Sequence, residues 1–179
     1  MEPVEITAGR LHLRPFVPAD ENAVYVACQD GEIQRWTRVP SPYTRADARQ
    51  FVTLSAPSGW RDDREYTFAV CDATSGEVLA SVGVSAPTVD HIGEVGFWCA
   101  AAARGQGVTT QAVTAICRWG FAAVGYARID WYAAVGNGPS RRVAEKAGFT
   151  VEGTLRQRLE LHGVRHDAWV GGLLPDDVR

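Results

Sequence analysis

The chain has 179 residues, 46% of them hydrophobic and 22% charged, enough for one packed α/β domain and short for two. A formal net charge of −3 provides no general basic field to attract nucleic acid or an anionic membrane. No stretch nears the roughly 18 consecutive apolar residues needed to span a bilayer. The opening MEPVEITAGRLHLRPF carries Glu2, Glu5, Arg10 and Arg14 where a secretory signal needs an apolar run. Cys28, Cys71, Cys99 and Cys117 lie far apart in apolar segments and have neither metal nor redox spacing. They read as buried thiols of a soluble cytoplasmic protein.

In chain order, RLHLRPF at 10–16 alternates as a strand with Leu11 and Leu13 on one face. Pro18-Ala19-Asp20 opens a helix running to about Gln29. A short helical turn follows at Glu32 to Trp36. After the Pro-Ser-Pro break at 40–42, a helix is expected from Arg45 to Ser55, with Thr44 as N-cap and Asp47 three residues on. Three strands then follow, at 66–72, 78–86 and 92–100, joined by short turns as an antiparallel meander. The segment from Val108 to Gly125 reads as a helix stopped by glycine. A strand at 127–135, a helix from Asn137 to Ala147 and two strands turning near His162-Gly163 complete the chain. No repeat, low-complexity tract or linker interrupts it, so residues 1–179 are expected to form a single domain. The fold class is mixed α/β (α+β), with a largely antiparallel central sheet flanked by helices.

The stretch EVGFWCAAAARGQGVTTQ, Glu94 to Gln111, carries the most chemistry. A strand ends, Arg104-Gly105-Gln106-Gly107 turns tightly, and a helix begins. Free N–H groups and the helix dipole at such a start form an anion site. Gly105 and Gly107 allow close approach of a phosphate, and Arg104 adds a cation able to pair with it. A pyrophosphate is the natural guest, and a plain glycine turn with a surface arginine is the competing reading. A dinucleotide fingerprint is disfavoured, because Gly105-Gln106-Gly107-Val108-Thr109-Thr110 lacks the third glycine and follows a meander instead of opening a βαβ unit. A second stretch, Asn137-Gly138-Pro139-Ser140, crowds two polar side chains at a strand–helix junction. Simple capping, with Asn137 as N-cap and Gly148 as C-cap, accounts for most of it.

Taken together, G-F-W at 96–98, R-G-Q-G-V-T-T-Q-A at 104–112 and N-x-x-S-x-x-V-A-E-K-A-G-F at 137–149 resemble the GNAT (Gcn5-related N-acetyltransferase) superfamily. The likeness is closer to its RimJ/RimL-like branch, which acetylates protein N-termini and other amines, and it runs over nearly the whole chain. The resemblance implies the GNAT fold, acetyl-CoA as acyl donor, a primary amine as acceptor and no metal. Members often form homodimers. It implies a pyrophosphate cradle at Arg104, Gly105, Gln106, Gly107, Val108, Thr109 and Thr110, with Thr109 in place of the usual glycine or alanine. The pantetheine arm would pair with the strand edge at Phe97, Trp98, Cys99 and Ala100, where a backbone N–H would polarise the thioester carbonyl.

The implied reaction is direct attack of a neutral amine on the thioester, through a tetrahedral intermediate. Many members use as acid a tyrosine seven residues after the asparagine, and here that position is Ala144. Ser140 is then the candidate for holding or protonating the thiolate, against the plain reading of a helix-turn serine. Glu94 is the candidate base, directly or through water, against that of a surface carboxylate. Asn137 would orient cofactor or substrate. The missing tyrosine keeps open an alternative, a non-catalytic acyl-CoA-binding or regulatory domain. Trp36, Tyr43 and Trp60 are expected either to line an acceptor pocket or to fill the core. His162 and His166 sit at a hairpin turn, which disfavours a metal site.

Overall fold

The computed structural model describes residues 1–178. Eight strands form one sheet: β1 (Ile6–Ala8), β2 (Leu11–Arg14), β3 (Glu65–Asp72), β4 (Val78–Ser85), β5 (Ile92–Cys99), β6 (Arg128–Ala134), β7 (Thr150–Leu161) and β8 (Val164–Leu173). They lie in the order β1-β2-β3-β4-β5-β6-β8-β7. All neighbours run antiparallel except β5 and β6. That parallel pair needs a crossover, and the segment between them supplies it through α5 (Val108–Trp119).

Side-chain alternation sorts the central strands into two cores. Phe68 and Val70 of β3 face Val113, Ile116 and Cys117 of α5. Their neighbours Ala69 and Cys71 face the opposite layer, built from α1 (Glu21–Ala27), α2 (Gly31–Trp36) and α3 (Arg45–Gln50). Burial on both faces explains why β3 and β4 read as nearly continuous apolar runs. On the α5 side lies α6 (Gly138–Ala147), with Ala144 and Ala147 buried beneath it.

Two elements depart from the expectations. The helix expected to end at Ser55 continues through a π-helical turn, Phe51–Ser55, into α4 (Ala56–Arg61). Pro57 lacks an N–H, but it stands in the first turn after the widened coil, where that loss is tolerated. Gly59 belongs there because a Cβ would lie 2.6 Å from the Glu65 carbonyl oxygen. The short strand β1 was not expected, because three residues show no alternation. Thr44 does cap α3, with Asp47 N–H donating to its hydroxyl at 3.2 Å and Thr44 N–H donating to Asp47 at 2.8 Å. The last hairpin turns at His162 and Gly163, both at positive φ.

Candidate active site

The site begins where β5 and β6 part. Their register runs from Ile92↔Arg128 to Val95↔Trp131 and stops, although β5 continues to Cys99 and β6 to Ala134. Beyond Val95, no strand among the described residues pairs with the edge of β5 facing β6. Backbone groups there need a partner, and an extended ligand could provide it. A cleft of about 940 Å³ opens over this gap, within the range of small-molecule sites.

Below the end of β5 the chain makes the expected turn. Gly105 and Gly107 hold φ of +75° and +76°. A Cβ at either would meet no atom within 4 Å. The left-handed backbone, not crowding by the protein, is therefore what requires glycine. Gly107 is the N-cap of α5, and no side chain caps the helix. The amides of Val108, Thr109 and Thr110 are thus left open for an anion. The Thr109 side chain does not obstruct them: it is 8% exposed, and its hydroxyl lies against the Cys99 thiol. Burial pushes the Cys99 thiol upward and keeps it protonated.

Of the residues singled out in the sequence, Glu94, Phe97, Trp98, Cys99, Arg104, Gly105, Gly107, Val108, Thr109, Thr110, Asn137 and Ser140 all line this cleft. Ala100 and Gln106 do not. The Gln106 amide folds back to donate to the Ala102 carbonyl at 2.8 Å. Arg104 lines the cleft but has a partner other than the expected anion. Its guanidinium grips Asp30 at 2.7 and 3.2 Å and donates to the Cys99 carbonyl at 3.2 Å. The Arg104 guanidinium holds the Asp30 carboxyl below its usual range. Asp30 is also the N-cap of α2, accepting from the amides of Glu32 and Ile33. Arg142 and Lys146 of α6 also line the cleft.

Glu94 shares its face of β5 with Gly96 and Trp98, and Trp98 packs into the α1–α3 core. Ser140 stands in the first turn of α6, on the α5 side. The carboxylate and the hydroxyl therefore reach the gap from opposite faces of the sheet. Asn137 caps α6, its side-chain oxygen accepting from Ser140 N–H at 3.2 Å. The Ser140 hydroxyl accepts from the Trp131 indole N–H at 3.0 Å. Ala144 is fully buried, so the position of the missing tyrosine contributes only a core methyl.

Trp36 and Tyr43 line the cleft, whereas Trp60 is core, 1% exposed, with its indole donating to the Thr67 carbonyl at 2.9 Å. On the α2 side Trp36 packs with Tyr132, Leu159 and Leu161. His162 Nε2 lies 2.6 Å from the Gln34 carbonyl oxygen, tying the hairpin tip to α2. Among the described residues no group of three or more His, Cys, Asp or Glu could hold a metal, and no helix is long and apolar enough to cross a membrane.

A sheet splayed at its parallel pairing, beside an open, glycine-turned helix start, leaves room for an extended ligand with an anionic end. The chain belongs to the GNAT acetyltransferase family: a sequence model of the acetyltransferase (GNAT) domain matches residues 10–150. It is an N-acetyltransferase by family, and no observation favours a non-catalytic role. YdaF of Bacillus subtilis strain 168, provisionally named a ribosomal N-acetyltransferase, is 37% identical over 79 residues. That match spans 44% of this chain and 43% of YdaF, less than half the relative's length. A Vibrio cholerae protein provisionally named a ribosomal-protein-serine acetyltransferase shares the fold with a TM-score of 0.88 at 21% identity, over 98% of this chain and 100% of its own. Mycobacterium smegmatis RimJ, solved with a CoA-disulfide, shares it with a TM-score of 0.83 at 22% identity, over 99% and 88%.

Proposed function

We propose that this N-acetyltransferase takes its acetyl group from acetyl-CoA and delivers it to the α-amine of a peptide or protein N-terminus. The observation that carries the reading is the termination of β5–β6 pairing at Val95↔Trp131, directly beside the uncapped start of α5. One end of the donor would rest its pyrophosphate on the amides of Val108 to Thr110, with Arg142 and Lys146 as cations in reach of the same cleft. The pantetheine arm would extend along the free edge of β5. There a backbone N–H supplies the hydrogen bond that an oxyanion requires.

The amine would enter from the face that carries Glu94, past Trp36, Tyr43 and Tyr132. Glu94 takes a proton from the ammonium, freeing the lone pair for attack. The C–N bond forms, the C–S bond breaks, and the thiolate departs on the Ser140 side. Entry and departure from opposite faces suit a direct transfer without an acyl-enzyme, and the half-buried, protonated Cys99 is not needed as a nucleophile. The named activities of YdaF and the Vibrio cholerae protein support a peptide acceptor over a small metabolite.

The test is thiol release from acetyl-CoA in the presence of serine- and alanine-initiated peptides, with the same peptides N-blocked and a diamine as comparators. Turnover of the free peptides alone is expected. Turnover of the diamine alone would replace the acceptor class, and no binding of acetyl-CoA by calorimetry would overturn the donor. Glu94→Gln is expected to lower kcat by about 100-fold with acetyl-CoA affinity unchanged.

A further inference from the structure

Trp131 occupies the last register position before the strands part and is 1% exposed. A buried indole N–H requires an acceptor, and the one it has is the cleft-lining Ser140 hydroxyl, at 3.0 Å. The backbone N–H of Ser140 is already satisfied by Asn137. A serine hydroxyl has one hydrogen to give and two lone pairs to receive. The indole fills a receiving position, and no described residue accepts the hydrogen.

We infer that Trp131 is a positioning residue: it fixes the Ser140 hydroxyl so that its hydrogen faces the thioester sulfur, making the pair a hydrogen-bond donor to the departing thiolate and not a proton source. This rests on the proposed reading that the thioester lies in the β5–β6 gap.

The proton balance supports the distinction. A thiol has a pKa of about 8.5, far below that of an aliphatic alcohol, so transfer from Ser140 to the sulfur runs uphill. The indole is a donor only and cannot return a proton to the serine. The attacking nitrogen itself releases two protons. One goes to Glu94 before attack, and the second leaves as the amide forms and is the one the sulfur takes up. The C–N bond has then formed, the C–S bond has broken with its electron pair on sulfur, and Ser140 ends the cycle unchanged. A hydroxyl that accepts a hydrogen bond becomes a stronger donor. Charge on the sulfur grows only as the C–S bond breaks, so the effect belongs in kcat and not in KM.

The experiment is a double-mutant cycle with acetyl-CoA and the peptide acceptor of the assay above. Ser140→Ala and Trp131→Phe are each expected to lower kcat by roughly 5- to 15-fold, the worth of one hydrogen bond to a developing charge, with KM for acetyl-CoA within about twofold. The double variant is expected to be no slower than Ser140→Ala alone. All variants are expected to keep the wild-type midpoint of the basic limb of the kcat–pH profile. Equal proportional losses in both backgrounds, or a rise in KM with kcat intact, would reduce Trp131 to a packing residue. A basic limb that vanishes in Ser140→Ala would make the serine the proton source. An unchanged kcat in Ser140→Ala would remove the thioester from this side of the gap, a failure of the underlying reading. Should Trp131→Phe not fold, replacing Trp131 with 3-benzothienylalanine keeps the bicyclic shape, substitutes sulfur for the N–H, and carries the same expectations.

Discussion

At Gly107 the backbone turns at φ +76° and hands an uncapped helix start to the cleft. An alanine there adopts a left-handed conformation at a cost of about 1–2 kcal/mol. Gly76, at φ +75° in the β3–β4 turn and equally free of neighbours, provides the control. Gly76→Ala and Gly107→Ala are expected to lose similar stability in urea titrations. Only Gly107→Ala should also weaken acetyl-CoA binding, by calorimetry. Equal affinities in the two variants would detach the turn from the donor site. Gly107 was legible in the sequence, as were Asn137 and Ser140, because their spacing is local. The partner of Arg104 was not. Asp30 lies 74 residues away, and nothing in a turn sequence reports what a long cation will meet across the fold. Trp131 was missed for another reason: a tryptophan in an apolar strand looks like core, and it is core except for its one polar atom.

Among the elements, α2 is the most dependent on others. It has only six residues, too few to persist alone. Asp30 caps it, Arg104 anchors that cap to the α5 loop, and His162 reaches Gln34 from the hairpin. Asp30→Asn preserves the cap, since asparagine caps as well as aspartate, and removes only the charge. The pair is partly exposed, at 39% and 23% for the two side chains, so about 0.5–1 kcal/mol is the fitting magnitude. Arg104 lowers the folded-state pKa of Asp30. The charge therefore stabilises the fold at every pH above the unfolded carboxylate value of about 3.9, and the contribution is lost as pH falls through the folded value. Urea midpoints of wild type and Asp30→Asn should differ at pH 7 and converge as the pH falls below the ordinary carboxylate range. A gap that persists at low pH would show that the asparagine had damaged the cap instead. Most elements could be read from period and turn residues. The extension into α4 could not, because Pro57 and Gly59 are breakers by type. Here a π-helical turn accommodates the first, and contact with the β3 backbone requires the second.

Over the whole molecule, strands paired on both sides meet a gap that the chain leaves unfilled. The sheet is continuous from β1 to β5 and again from β6 to β7, and among the described residues the strands of the two halves pair only at the four positions Ile92↔Arg128 to Val95↔Trp131. Helix α5 packs under the β1–β5 half and against α6, which lies under the other half, and its N-terminus lines the cleft over the gap. A donor seated there would bridge β5 and the start of α5, adding contacts that the unfolded chain cannot make. Binding to the folded state alone stabilises by mass action, about 2.7 kcal/mol at a hundredfold excess over Kd. For a domain of this size that corresponds to a rise in Tm of roughly 5–10 °C. Acetyl-CoA is expected to produce that shift in a thermal melt of the wild type. Gly107→Trp, which places an indole at the uncapped helix start, is expected to abolish it. Glu94→Gln should leave it intact, because the carboxylate works on the amine from the other face of the sheet. A shift that survives Gly107→Trp would move the donor away from the α5 cradle and reassign the splayed strands to the acceptor alone.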